Sequence, residues 1–392
     1  MSGALSLPFL RLYVLVLLYF SANSILNVLI PLKGESLGAS NTTIGLIMGS
    51  YLFTTMFFRP WAGHIIQKYG PIKVLRTILI INGFALIIYT LTGLGGYLVA
   101  RMLQGVSTAF FSMALQIGII DALPEKDRSQ GISLYSLFSY IPGIIGPLLA
   151  LGIWQGEMEY FAVVMIAIAI ITGVVGYSAQ IDTARTETIK ENSSQGVVMM
   201  NSFGQLVKNP HLLKCSVLML TGSIVFGAIT IFIPLYAAQL TSSNAGIFLM
   251  IMAGTVVMAR FTLRKKIPSD GKWHSSFIMG NMFLLAMGSL CVSFALKGGV
   301  ILFYVGACLM GTAQALLYPT LTTYLSFVLP QVNRNVLLGL FIAMADLGVS
   351  LGGVIMGPIA DNSSYSFMYL ICAALGMAMI LFAYDRREIF VG

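Results

Sequence analysis

Charged residues are scarce in this chain, where Asp, Glu, Lys and Arg together make up 9% of 392 residues. A water-soluble domain carries about 25%, so the composition excludes an ordinary soluble fold. Cysteine and histidine are also few, with four and three residues and no CxxC or HExxH spacing. No phosphate-binding Walker pattern is present either. We therefore expect no enzyme, no metal site and no bound cofactor.

Apolar residues dominate instead, at 57% of the chain, and they form twelve runs of membrane-spanning length. About 20 such residues make one transmembrane helix, and an α-helix satisfies its own backbone hydrogen bonds inside a bilayer. The sequence therefore predicts an all-α integral membrane protein with twelve transmembrane helices. Their predicted limits are 10–31, 44–63, 74–93, 97–119, 132–153, 159–180, 212–235, 244–262, 275–296, 299–320, 335–358 and 366–384.

The distribution of cations predicts how the chain crosses the membrane. If the N-terminus is cytoplasmic, inner loops and helix ends hold nineteen of the 22 Lys and Arg residues, and outer loops hold only Lys33 and Lys297. Cytoplasmic loops carry such an excess. We expect a multi-pass cell-membrane protein with both termini cytoplasmic. The net charge of +8 then reflects topology rather than a nucleic-acid partner, and we expect a monomer surrounded by lipid.

A polar stretch in the middle divides the chain into two halves of six helices each. We assign 1–180 to an N-terminal six-helix bundle and 181–210 to a cytoplasmic linker. The C-terminal six-helix bundle is 211–385, and 386–392 is a cytoplasmic tail. Mixed charges among Ser, Thr, Asn and Gly bury little surface, which is typical of a solvated linker.

The two halves repeat one another at a nearly constant offset. One motif recurs 201 positions later, and a second recurs 206 positions later, each in the equivalent predicted loop. The repeated residues are Arg59 and Gly70 with Arg260 and Gly271, and then Leu123-Pro124 and Arg128 with Leu329-Pro330 and Arg334. Two matches at similar offsets indicate duplication, with the two bundles related by pseudo-symmetry.

The loop after helix 2 runs from Gly63 to Gly70, with Gln67 and Lys68 between them. With the duplicated halves, this run resembles the cytoplasmic signature of transporters of the major facilitator superfamily. The resemblance implies the major facilitator fold, with a substrate site between the halves, and a gating role for these four residues. Gln67 stands where the family has an acid, so it accepts hydrogen bonds without carrying charge. The alternative explanation for Lys68 is that it only belongs to the excess of cations in cytoplasmic loops, which sets the topology.

Other helix ends and bends are candidates for conformational gating. Asp121 ends helix 4, where a solvated helix end is the alternative, and Arg128 and Arg334 follow the repeated Leu-Pro pairs. Helix 5 contains Gly146 and Pro147 in a run that resembles a signature of proton-driven drug exporters. A Gly-Pro pair lets helices approach closely and bend. The resemblance implies export and assigns both residues to the conformational change.

Arg101 lies in the apolar run of helix 4, within an Arg-x-x-Gln-Gly pattern that resembles a superfamily motif. An Arg at a helix centre costs roughly 2.5–3.5 kcal/mol on insertion scales, so it is seldom retained without a partner or a cavity. A guanidinium binds a carboxylate through paired donors. We therefore predict that Arg101 binds an anionic or zwitterionic substrate. The alternative is that its side chain extends to the outer headgroups.

Polar side chains on three helices are further candidates for substrate binding. They are Asn23 and Asn27 on helix 1, Gln104 on helix 4, and Gln314 and Tyr318 on helix 10. Such groups suit a hydrophilic substrate, although packing between helices is an alternative for the helix 1 residues.

Asp346 lies near the middle of helix 11. An ionisable residue inside a membrane span is expensive and commonly marks a proton or substrate path. We predict that Asp346 exchanges the coupling proton, with a proton gradient as the energy source. A structural Asp that is hydrogen-bonded between helices 8 and 11 is the alternative.

Nearly the whole chain also resembles exporters of opine metallophores within this superfamily. That resemblance implies secretion of a metal-free ligand with several carboxylates, amines and an imidazole, which binds metal only after export. A multidrug/proton antiporter is the alternative function, and a non-transporting membrane sensor or scaffold is a third. The resembling segments include 1–23, 58–63, 70–76, 104–113, 118–125, 133–139, 267–271, 318–330 and 337–353.

Overall fold

The computed structural model describes residues 3–156, 158–179, 208–263, 266–268, 270–330 and 334–384. The predicted linker up to residue 207 and the predicted tail at 386–392 lie outside this part of the chain. Within it, regular secondary structure is helical throughout. The prediction of an all-α fold is therefore confirmed.

Twelve long helices make up the described residues, and eleven are long and apolar enough to cross a membrane. Helix α2 is the exception; it carries Arg59 and Pro60 in its interior and Lys68 in its last turn. The helices are α1 Leu7–Ser36, α2 Asn41–Tyr69, α3 Pro71–Leu91, α4 Leu94–Ala122, α5 Glu125–Gln155, α6 Phe161–Ser178, α7 Pro210–Ala238, α8 Ala245–Thr262, α9 Ser275–Ser293, α10 Ala295–Val328, α11 Arg334–Asn362 and α12 Tyr365–Ala383.

Several helices are longer than their predicted limits. Helix α2 was expected over 44–63 but extends over Asn41–Tyr69. Hydropathy marks only the part of a helix that lies in hydrocarbon, whereas the helix itself continues until its backbone turns. Helix α10 is interrupted at Gly299, where φ is 82°. Its regular part therefore begins close to the predicted start at 299.

The repeated glycines both have a positive φ. Gly70 has φ of 84° and Gly271 has φ of 74°, a left-handed region that glycine adopts without steric cost. Gly70 precedes helix α3, and Pro71 then occupies the first helical turn, where its missing N–H costs nothing. The two glycines therefore share a positive φ, although Gly70 directly precedes α3 whereas Gly271 lies four residues before α9.

The described helices belong to two compact units. One unit holds the chain up to Ile30 and from Ser50 through helix α6. The other holds Pro31–Gly49 and the chain from helix α7 onward. Helix α2 is thus divided, because its first nine residues belong with the second unit. The exact bundle limits of 1–180 and 211–385 stay a prediction.

Large apolar side chains are exposed on many helices, among them Leu381, Ile301 and Met258. Soluble proteins rarely expose extended apolar patches, whereas a bilayer solvates such side chains. Several polar side chains are buried instead, and among the described residues the largest fully buried side chain is that of Arg101.

Candidate substrate-binding site

A buried guanidinium is the centre of the candidate site in the first unit. Arg101 of α4 is 0% exposed. Its Nη1 donates to Oδ1 of Asn23 at 2.7 Å, and its Nη2 donates to Oδ1 of Asn27 at 2.8 Å. Residues four apart lie on one face of a helix, so α1 offers both amides to one side chain. The alternative in which Arg101 extends to the headgroups is wrong, because these amides hold it inside the unit.

Two tyrosines also lie near Arg101. Its guanidinium carbon lies 5.3 Å from the ring centroid of Tyr51 on α2, within the range of a cation–π contact. Tyr89 of α3 donates from its hydroxyl to Oε1 of Gln104 at 2.7 Å, one turn along α4 from Arg101. Gln104 is also buried. Residues predicted separately on α1 and α4 therefore meet in one polar cluster.

A chain of hydroxyl groups continues from Tyr51 toward the centre of the unit. The hydroxyls of Tyr51 and Tyr19 each lie 2.9 Å from Oγ1 of Thr108. The ring of Tyr19 stacks on Phe111 with centroids 3.8 Å apart. Buried hydroxyls with partners specify how helices pack, so this chain fixes α1, α2 and α4 around Arg101.

Close helix approaches hold the cluster in place. A Cβ on Gly105 of α4 would collide with the carbonyl oxygen of Tyr51, and Thr55 Oγ1 donates to the Gly105 oxygen at 3.0 Å. A Cβ on Gly146 of α5 would collide with Ser24 of α1, which donates to the carbonyl of Pro142 at 2.8 Å. The structure therefore gives Gly146 a contact role between α1 and α5.

The other predicted binding and coupling residues lie in the second unit. Gln314 and Tyr318 of α10 are half-buried, and the Tyr318 ring stacks on Phe341 of α11 with centroids 6.1 Å apart. Asp346 is half-buried in α11. That these residues share one substrate path with Arg101 stays a prediction.

The predicted gating residues at the end of α2 have local roles. Gly63 lies close to Met113 of α4, since a Cβ would be 3.3 Å from its sulfur. Gln67 and Lys68 lie in the last turn of α2, with Lys68 exposed and its ammonium 5.3 Å from the Tyr69 ring centroid. Gly70 makes the turn into α3. Gating by these residues stays a prediction.

Arg128 and Arg334 occupy equivalent positions in the sequence repeat, but their local structures differ. Asp121 lies in the last turn of α4, and Arg128 donates from Nε to the carbonyl of Leu123, the residue that follows α4, at 3.2 Å. Arg334, by contrast, is the first residue of α11 and is half-buried. Arg128 already lies inside α5, so the two arginines differ in their local structure.

Sequence analysis missed Tyr19, Tyr51 and Tyr89. A tyrosine in an apolar run looks the same whether it contacts lipid or a buried cation, so no spacing identifies it. The position of Tyr51, three residues before Thr54 and four before Thr55, is a weak polar stripe on α2 that could have indicated an inward face.

Family membership follows from comparison with known proteins. The model of the Major Facilitator Superfamily matches residues 12–269. The chain belongs to this superfamily. Solved structures agree on the fold: the nucleoside transporter NupG has a TM-score of 0.75 at 16% identity, covering 99% of this chain and 100% of that chain. The human organic anion transporter MFSD10 has a TM-score of 0.69 at 13% identity, covering 96% and 98%.

A curated relative is far more similar in sequence. The staphylopine export protein of Staphylococcus aureus (strain Mu50 / ATCC 700699) is 55% identical over 388 residues, covering 99% of this chain and 98% of the relative. An uncharacterized MFS-type transporter of Burkholderia mallei (strain SAVP1) is 24% identical, covering 90% and 86%. The major facilitator resemblance predicted from the motifs is confirmed. This chain is a multi-pass membrane transporter of the exporter type and not an enzyme.

Proposed function

We propose that this protein exports a metal-free, staphylopine-like opine metallophore from the cytoplasm by alternating access, driven by a proton gradient. The relative that is 55% identical over nearly the full chain supports this substrate. On this proposal the protein is a monomer in the cell membrane with both termini cytoplasmic. It needs no cofactor, and its partners are lipid and the metallophore, not nucleic acid.

The observation that carries the proposal is the cation of Arg101, buried and held by two asparagine amides. A buried guanidinium is costly, so it is seldom retained without a functional role, and its positive potential favours a ligand with carboxylates. The opine class implied by the sequence resemblance has several carboxylates. Gln314 and Tyr318 are proposed to contact the amine or imidazole parts of the metallophore.

A multidrug/proton antiporter is the competing function. Hydrophobic cationic drugs require a buried acid facing an aromatic cavity, whereas the polar cluster around Arg101 is cationic and carries amides and hydroxyls. The cluster therefore favours the anionic or zwitterionic substrate. A membrane sensor or scaffold would not require a cation at this depth.

Mass spectrometry of the opine in medium and cytosol tests the proposal. Three strains of cells that make the opine are compared. One carries this protein, one lacks it, and one carries the Arg101→Ala variant. Deletion should move the compound from the medium to the cytosol, and the wild type should restore secretion. Arg101→Ala should reduce secretion at least tenfold. An unchanged distribution on deletion would overturn the proposal and favour the drug antiporter.

A further inference from the structure

We infer that the substrate carboxylate is bound by the side-chain NH2 groups of Asn23 and Asn27, and that Arg101 positions these two amides. This inference rests on the proposed function. It assigns Arg101 a positioning role and transfers the direct contact to α1.

The inference requires Asn23 and Asn27 to be more exposed than Arg101, and they are. Arg101 is fully buried, whereas Asn23 and Asn27 are each partly accessible. We therefore expect a ligand that reaches this cluster to meet Asn23 and Asn27 before it meets Arg101.

The hydrogen-bond chemistry fixes the direction of each amide. A guanidinium has only donors, so it accepts no bond from an NH2 group and must meet the Oδ1 atoms. That is the observed pairing, at 2.7 Å for Asn23 and 2.8 Å for Asn27. Each Nδ2 is then turned away from Arg101, and within the described residues neither Nδ2 donates a hydrogen bond.

The paired amides form a binding element for an anion. They lie one helical turn apart, a separation of about 5–6 Å between Cβ atoms, and they offer four N–H donors above one positive charge. A carboxylate accepts hydrogen bonds only. Its two oxygens fit these donors, while a cationic drug would meet donors and a like charge.

Asn27→Asp separates this role from a purely structural one. The carboxylate keeps the shape of the side chain and a strong bond to Arg101, so the unit stays assembled. It also replaces the NH2 donors by an acceptor oxygen that repels the substrate. Uptake of metal-free staphylopine into inverted membrane vesicles should fall at least tenfold. Asn209→Asp is the control, because Asn209 is the N-cap of α7 and Asp is an equally good cap.

The outcomes distinguish this inference from the proposed function. If wild-type vesicles take up no staphylopine, the proposed function fails. If the wild type transports and Asn27→Asp transports equally well, the positioning inference is wrong and the amides serve only to hold Arg101. If Asn27→Asp does not fold, as judged by size-exclusion chromatography, Asn23→Asp gives the same test at the other amide.

A second inference rests on a different observation, at the N-terminal end of α2. A residue far along the chain accepts hydrogen bonds from the first backbone N–H groups of this helix. Asp361, near the end of α11, accepts from the backbone N–H of Asn41 at 2.8 Å and of Thr42 at 2.9 Å. It also accepts from Thr42 Oγ1 at 2.6 Å. Ser40 caps the next N–H, that of Thr43, at 3.2 Å.

The neighbouring helix surfaces allow this contact. The pairs Gly45 with Gly353 and Gly49 with Ser350 lie so close that a Cβ on either glycine of α2 would collide with the opposite backbone. Tyr365 adds a bond from its hydroxyl to Oδ1 of Asn41 at 2.6 Å. The first residues of α2 therefore belong with the second unit, while the rest of α2 belongs with the first.

We propose that Asp361 is a latch that holds the outer end of α2 against α11, and that its bonds break when the transporter opens to the outside. The position is outer on the predicted topology. A carboxylate at a helix N-terminus is stabilised by the free N–H groups and the helix dipole. The bonds supply a discrete closed state, and the glycine contacts supply a surface that separates without side-chain rearrangement.

Cysteine accessibility tests the latch. Ser350 is 3% exposed beneath it, so Ser350→Cys reports opening. The four native cysteines, Cys215, Cys291, Cys308 and Cys372, are first replaced by serine. A membrane-impermeant maleimide should label Ser350→Cys at least threefold faster when Asp361→Asn is added. Asp270→Asn is the matched control, because Asp270 is an exposed loop carboxylate that contacts His274.

A structural cap without a latch role predicts a different result. Asp361→Asn would then lower the thermal stability and leave the labelling rate unchanged, which would overturn the proposal. If Asp361→Asn does not fold, Thr42→Val removes one bond to the carboxylate and should still raise labelling measurably. An unchanged rate in that variant would equally contradict the latch.

Discussion

The hydroxyl of Tyr89 donates to Oε1 of Gln104 across the α3–α4 contact, at 2.7 Å. Both side chains are buried. The bond fixes the Gln104 amide one turn from Arg101, so a residue of α3 that sequence analysis missed supports the predicted binding residue on α4.

Tyr89→Phe should destabilise the protein through this single bond. The substitution keeps the ring and leaves Oε1 of Gln104 buried without its donor, which costs about 1–3 kcal/mol. Thermal unfolding in detergent should show a lower melting temperature. Adding Gln104→Leu should recover part of the loss, because it removes the unsatisfied group. Equal stability of Tyr89→Phe and the wild type would contradict the importance of this bond.

Gly105→Ala should weaken the contact between α2 and α4. Its Cβ would collide with the backbone carbonyl oxygen of Tyr51, which has no freedom to rotate away. Overpacking of this kind costs about 1–3 kcal/mol. Gly152→Ala in α5 is the control, since no atom lies within 4 Å of its Cβ, and it should be neutral or slightly stabilising. Melting temperatures of both variants in one detergent check the pair. Similar shifts would show that the close approach is unimportant.

Asp346→Asn should abolish the response of transport to a pH gradient. The amide keeps the size of the half-buried side chain but does not exchange a proton. Staphylopine uptake into inverted vesicles is measured with and without an imposed gradient, and the stimulation should disappear while binding in detergent persists. Glu159→Gln, at an exposed loop position, is the control and should keep the stimulation. Full stimulation in Asp346→Asn would assign the coupling proton to another group.

The predicted topology is checked by labelling two exposed loop or helix-end positions in intact cells. Leu37 lies between α1 and α2, Tyr69 ends α2, and both side chains are exposed. In the cysteine-free protein, Leu37→Cys should react with an impermeant maleimide from outside, and Tyr69→Cys only after permeabilisation. The reverse pattern would invert the assignment of the termini.

Part of the candidate site could be predicted because membrane burial makes polar residues conspicuous. Arg101, Asn23, Asn27 and Gln104 stand out in apolar runs, and the structure brings all four together. Tyr51 and Tyr89 do not stand out, since tyrosine is common at membrane interfaces and in helix packing. Which amide atoms face the guanidinium was equally hidden, because it depends on a partner 74 or more positions away.

The all-helical fold and the number of helices follow from the amino-acid sequence alone. A bilayer requires each span to satisfy its own backbone, so hydropathy is sufficient to indicate the spans, although helices such as α2 extend beyond the predicted limits. Which groups meet became known from the folded arrangement. Asp361 accepts a hydrogen bond from the N-terminus of α2 from 320 positions away. Arg101 is fully buried and donates to two asparagine amides. Such contacts arise from helix packing, and packing depends on shapes on several helices at once rather than on any local pattern.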